Sequence, residues 1–78
     1  MNAQSQAARR FVVCVRNDEY PASLELHKIY EVLPDAEGER LGFVRVIDES
    51  GEDYLFPEDY FLDVQVSRQV EQALRRAS

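Results

Sequence analysis

Two side chains in this sequence belong to types that commonly act as nucleophile or base. Cys14 is the single cysteine and His27 the single histidine. A cysteine nucleophile needs a base and an electropositive, accessible niche. Cys14 instead lies mid-run in Phe11-Val12-Val13-Cys14-Val15, where a free cysteine packs as a small hydrophobe. His27 lies in another segment, and nothing in the sequence joins the two, so its expected place is a solvent-exposed turn. A His/Cys metal site lacks ligands, and one cysteine excludes an internal disulfide. Asp48, Glu49, Glu52 and Asp53 surround Gly51 and offer oxygen ligands, but their spacing does not match a calcium loop. Those acids are expected to solvate a hairpin. No paired-carboxylate cleft fits a chain this small. The reading is therefore a non-enzyme with no cofactor and no metal.

Charge is distributed unevenly. The chain of 78 residues carries −6 overall, with +3 in residues 1–16, −11 in residues 17–63 and +2 in residues 64–78. An acidic body repels a phosphate backbone. A nucleic-acid role would have to use the basic ends, Arg9, Arg10, Arg68, Arg75 and Arg76, and it stands as the alternative to a protein partner. An acidic face suits either plain solubility or the steering of a basic partner protein. No apolar run nears the roughly 20 residues of a membrane span, and the start lacks the apolar core of a secretory signal. The expected setting is the cytoplasm, without membrane contact.

The elements that would position these groups follow from hydrophobic period. Residues 1–10 read as a loose N-terminal arm. Residues 11–15 form the clearest strand, ended by Asn17-Asp18-Glu19-Tyr20-Pro21. Leu24 and Leu26 alternate around Glu25, and Ile29–Leu33 forms a second strand with Tyr30 and Val32 inward. Pro34–Arg40 reads as a polar loop. Gly42–Ile47 is a third strand with Val44 and Val46 inward and Arg45 outward. Asp48–Asp53 is a hairpin connection, Tyr54–Phe56 a fourth strand, and Pro57–Tyr60 one 3₁₀ turn. Residues 61–66 make a fifth strand. The last segment, 67–78, switches to helical period, with Ser67 as N-cap and Val70, Ala73, Leu74 and Ala77 on one stripe. The expected core is Val13, Leu26, Tyr30, Val32, Val44, Val46, Phe56 and Phe61.

This order of elements resembles the SH3-like barrel. Leu24-Glu25-Leu26 followed by Ile29–Leu33 resembles a diverging turn and its strand. Phe56-Pro57-Glu58-Asp59-Tyr60-Phe61 resembles the stretch that forms the 3₁₀ turn and enters the last SH3 strand. The stretch is also similar to a set of small bacterial and phage proteins without assigned activity, through Val13–Asn17, Ser23–Leu33 and Val46–Pro57, the last reading Val-Ile-Asp-Glu-Ser-Gly-Glu-Asp-Tyr-Leu-Phe-Pro.

The resemblance implies a mainly β fold: a five-stranded SH3-like barrel over residues 11–66, with a 3₁₀ turn and a short C-terminal helix. It also implies that the first long loop lies beside the 3₁₀ turn, so Tyr20, Pro21, Pro57 and Tyr60 could share one protein-binding patch. Proline-rich PxxP ligands need an aromatic-lined groove. This chain has no Trp, carries Val15 and Asn17 where SH3 tyrosines would stand, and has His27-Lys28 where glycine is usual. The function expected is a non-catalytic protein-interaction module that does not read PxxP. Val66 leads directly into Ser67, so the helix is expected to pack on its own barrel in a monomer, with a homodimer through that helix as the alternative.

Overall fold

The computed structural model describes residues 10–77. Its strands are β1 (Arg10–Cys14), β2 (Ile29–Leu33), β3 (Phe43–Ile47), β4 (Asp53–Pro57) and β5 (Phe61–Val64). All pairings are antiparallel, in one sheet of order β4-β3-β2-β1-β5. β2, β3 and β4 form a meander, and β5 returns to pair with the free side of β1. The 3₁₀ turn falls at Glu58–Tyr60, as its Pro-bounded sequence predicts.

The fold is thus mainly β, but hydrogen bonds do not close the sheet into a barrel: β4 and β5 remain its two edges. Side chains bring these edges together instead. The rings of Phe56 on β4 and Phe61 on β5 lie 6.3 Å apart, steeply inclined. Tyr20, from the loop after β1, packs edge-on against Phe56 at 5.1 Å.

One face of the sheet carries the core: Val12, Cys14, Tyr30, Val32, Val44, Val46, Phe56 and Phe61, closed by Leu24 and Tyr60. Registers Val32↔Val46 and Val44↔Phe56 put these side chains opposite one another. Two core assignments need correction. Val13 is only half-buried and turns to the other face, while Val12 and Cys14 are buried. β1 is apolar on both parities, and Phe11 on the second face is buried as well, so no alternation reveals which side is inner. Leu26 is 45% exposed, and Leu24 is completely buried. Residues 20–27 form turns rather than a strand, so a period of two does not apply. The Leu24 N–H donates to the Tyr20 carbonyl at 2.9 Å, and Asn17 Nδ2 donates to the Leu24 carbonyl at 2.8 Å.

The polar loop expected at residues 34–40 contains a short helix, α1 (Ala36–Arg40). Asp35 is its N-cap, accepting the Gly38 N–H at 2.9 Å. Its second oxygen accepts from Arg45 Nε at 2.8 Å, tying α1 to β3. These contacts, the Gly38 amide first, hold the Asp35 carboxyl below the usual carboxylate range. Gly42, at φ 90°, ends the helical turn in a conformation open to glycine. The C-terminal helix, α2 (Arg68–Ala77), starts where Ser67 predicts: Ser67 Oγ accepts the Val70 N–H at 3.1 Å.

His27 takes φ 68°, alone among the described non-glycine residues in having a positive φ. Its N–H donates to the Cys14 carbonyl at 2.6 Å, which pins the turn to the end of β1. A left-handed conformation costs an L-residue about 1–2 kcal/mol, and a β-branched residue is the worst case. His27 already bears that cost, so His27→Val is expected to lower the unfolding free energy by the further β-branched penalty alone, whereas His27→Gly should hold or raise it. Urea titration of both variants checks this; equal losses would mean the left-handed geometry is not what matters.

Candidate functional site

The structure brings together two of the four residues that the sequence proposes as a binding patch. The rings of Tyr20 and Tyr60 lie 6.0 Å apart. Tyr60 is buried and extends the core to this surface, while Tyr20 is half-buried. Pro21 follows Tyr20 and is exposed. Pro57 is half-buried and pairs in register with Phe43, taking the strand parity opposite to Phe56. It therefore belongs to the outer side of the β3–β4 hairpin, not to the core side from which the tyrosines emerge.

The surroundings of the tyrosine pair are charged. The Arg16 guanidinium lies over the Tyr60 ring, 5.3 Å from its centroid. Two carboxylates hold it there, Asp18 at 3.0 Å and Asp59 at 3.7 Å. Glu19, beside Asp18 in sequence, is exposed. Burial, and then the nearby Glu19 charge, push the Tyr60 phenol up from its ordinary value. The result is an aromatic floor rimmed by Asp18, Glu19 and Asp59, with one cation seated on it.

Cys14 and His27 are neighbours through the backbone, by the bond from His27 N–H. Their side chains serve different ends. The Cys14 thiol is fully buried and donates to the Arg16 carbonyl at 3.2 Å, while His27 is exposed. Burial pushes the thiol up from its ordinary value and so keeps it in the less nucleophilic, protonated form.

The acids of the 48–53 hairpin are engaged one by one. Asp48, expected in solvent, is buried. It accepts from the Ser50 N–H at 2.8 Å and the Ser50 hydroxyl at 2.6 Å, a local turn that satisfies it. Glu52 accepts the Tyr54 hydroxyl at 2.9 Å, and Asp53 accepts from Arg45 at 3.1 Å. Among the described residues, no three His, Cys, Asp or Glu side chains are grouped to hold a metal ion. Nor is any described helix long and apolar enough to cross a membrane.

Glu49 does what the sequence did not suggest. Its N–H donates to the Ser23 carbonyl at 3.0 Å, and its carboxylate takes Lys28 Nζ at 2.8 Å together with the Tyr30 hydroxyl. Tyr30 in turn accepts the Glu25 N–H at 2.7 Å. This latch fastens the 20–28 loop to the 48–52 hairpin. Its one signal in the sequence is an inward tyrosine, whose hydroxyl needs a partner once buried.

The latch should be visible in stability. Tyr30→Phe leaves the Glu25 amide without its acceptor and is expected to cost about 1–2 kcal/mol. Burial first, then the Glu49 bond, raise the Tyr30 phenol well above its ordinary value. The unfolded tyrosine ionises near pH 10 and the folded one does not. Stability is therefore full below about pH 10 and falls above it, and Tyr30→Phe should shrink that alkaline loss. Lys28, then Tyr30, hold Glu49 below its ordinary value. That contribution is present above about pH 4.3 and is lost as pH falls through the folded value, so Glu49→Gln should flatten the acid limb. Thermal melts from pH 2 to 11 read both limbs; a Glu49→Gln profile parallel to the parent's would contradict the latch.

Comparison of the chain with family models, with curated proteins and with solved structures finds no match.

Proposed function

We propose that this chain is a non-catalytic protein-interaction module of SH3-like barrel type, working in the bacterial cytoplasm. Its surface at Tyr20, Pro21 and Tyr60 would take a basic partner rather than a proline-rich one. The strand order β4-β3-β2-β1-β5 and the 3₁₀ turn between β4 and β5 support the barrel reading. The observation that carries the partner reading is the seat of Arg16: a guanidinium already rests on Tyr60 between two carboxylates. Such a rim attracts further cations and repels phosphate. With no Trp in the chain, a polyproline helix lacks its usual aromatic groove.

The test is an NMR titration of the full chain with three probes: an arginine-rich octapeptide, a PxxP decapeptide and a thymidine decanucleotide. The expected result is saturable shifts at Asp18, Tyr20 and Tyr60 with the basic peptide alone, weakened by salt. Saturable PxxP binding at Tyr60 that a scrambled peptide does not reproduce would overturn the partner reading. Binding of the oligonucleotide would favour the nucleic-acid alternative in its place.

A further inference from the structure

A sheet that does not close leaves two edges, and main-chain hydrogen bonding decides which of them is the more open. The Asp48 N–H donates to the Glu52 carbonyl at 2.9 Å, and the Glu58 N–H to the Gly42 carbonyl at 3.0 Å. These bonds bracket the β3–β4 ladder, in which Val46 faces Tyr54 and Val44 faces Phe56. Antiparallel pairs alternate between bonded and non-bonded, so Tyr54 and Phe56 direct their amides and carbonyls to β3. Asp53 and Leu55 turn theirs away from the sheet. Pro57 turns its carbonyl the same way and has no N–H. Among the described residues no main-chain group answers them. Asp53, Tyr54 and Leu55 are also exposed. On the other edge, Phe61 of β5 is buried and its N–H turns back to the Glu58 carbonyl. The open edge is β4.

We propose that β4 of one copy pairs antiparallel with β4 of a second copy, Leu55 facing Leu55 across a two-fold axis. The edge selects this occupant because it is complementary to itself. In this register the two Leu55 residues exchange both of their N–H to carbonyl bonds, and each Asp53 N–H meets the Pro57 carbonyl of the other copy. The donor that Pro57 lacks falls at the end of the paired stretch, where the Asp53 carbonyl stays in water. Tyr54 comes opposite Phe56 of the second copy, and leucine meets leucine on the outer side. A slip that sets Asp53 opposite Leu55 makes as many bonds, but it places an acid against a leucine. It also brings the two Asp53 residues from about 14 Å to about 7 Å along the strands.

Proline and charged residues guard an edge against arbitrary strands. Here they flank a free stretch centred on Leu55, so they restrict pairing to one register rather than abolish it. The exchange is isologous and closes at two chains. A five-residue strand spans about 17 Å, so the contact falls short of the roughly 1,200 Å² of a standard interface. Each copy carries −6, and the dimer is therefore weak in low salt and tightens as salt screens the two copies. It uses none of Arg16, Asp18 and Asp59, so its failure would leave the proposed partner site untouched.

Sedimentation velocity and amide hydrogen exchange of the full chain test this, from about 5 to about 500 µM in low and high salt. In high salt the parent should pass from monomer to dimer across that range. The Asp53 and Leu55 amides should exchange freely at low concentration and slow severalfold at high concentration, while Tyr54 and Phe56 stay protected throughout. Leu55→Pro removes the central donor without touching the β3 ladder, and Leu55→Glu sets two carboxylates face to face across the axis. Each should weaken the dimer roughly tenfold with the circular dichroism spectrum unchanged. If Leu55→Pro does not fold, Leu55→Glu decides alone. A chain that stays monomeric at the highest concentration in high salt would overturn the proposal, as would a dimer that tolerates Leu55→Glu. So would protection that grows at Asp63 of β5 and not at Leu55, which would place the contact on the other edge.

Discussion

Leu24→Ala is expected to remove about 2–5 kcal/mol of unfolding free energy, while Leu26→Ala changes it by less than about 0.5 kcal/mol. The two leucines flank one glutamate in the same turn, and hydropathy does not separate them. Burial does: Leu24 is wholly enclosed and belongs to the core, and Leu26 stands in solvent. A truncated Leu24 leaves a cavity whose walls are held by hydrogen bonds on both sides. Its own N–H is fixed by the Tyr20 carbonyl, and its carbonyl by Asn17 Nδ2, so the loop cannot readily collapse inward. A domain of this size has about 3–5 kcal/mol to lose. Leu24→Ala should therefore melt roughly 10–30 °C lower, and a part of it should be unfolded at 37 °C. Urea denaturation of both variants at equal slope measures the difference. Equal midpoints would mean that the 20–28 loop is not part of the cooperative unit.

That pair of residues also marks where sequence reasoning works in this chain and where it stops. Strands flanked by clear alternation were legible: Glu31 between Tyr30 and Val32, and Arg45 between Val44 and Val46, each point the way their parity requires. The 3₁₀ turn and the Ser67 cap were legible because proline and serine act locally. β1 was legible as a strand but not in its facing, since both of its sides are covered. The helix α1 was missed because five polar or small residues, Gly38 among them, are too few to show a helical period; the Asp35 cap and the Arg45 bond fix it in place.

The candidate site shows the same division. Tyr20 and Tyr60 meet because the loop after β1 folds back over the 3₁₀ turn, a long-range contact that resemblance suggests and local pattern does not contain. The seat of Arg16 between Asp18 and Asp59, forty-one residues apart in sequence, has no local signature. Nor does the Glu49 latch, which unites a turn residue with a strand residue nineteen positions earlier.

Phe56 carries the other large expected effect, because it is where the open sheet is drawn together. Its ring packs against Phe61 on the opposite edge strand and against Tyr20 from the loop, and it faces Val44 across the β3–β4 ladder. Phe56→Ala should cost about 3–5 kcal/mol, which leaves little or no folded protein at 37 °C. Phe56→Leu keeps most of the volume and loses the ring contacts, each worth about 0.5–1.5 kcal/mol beyond area, so it should remain folded. No hydrogen bonds of the sheet join β4 to β5, so these side chains are the principal link across the seam. Hydrogen exchange on Phe56→Leu should then show protection falling at amides of β4 and β5, while the β1–β2 ladder keeps its protection. A uniform loss across all five strands would contradict this view. It would mean that the edges open only with the whole domain, and that the core face, rather than the aromatic seam, holds β4 and β5 in place.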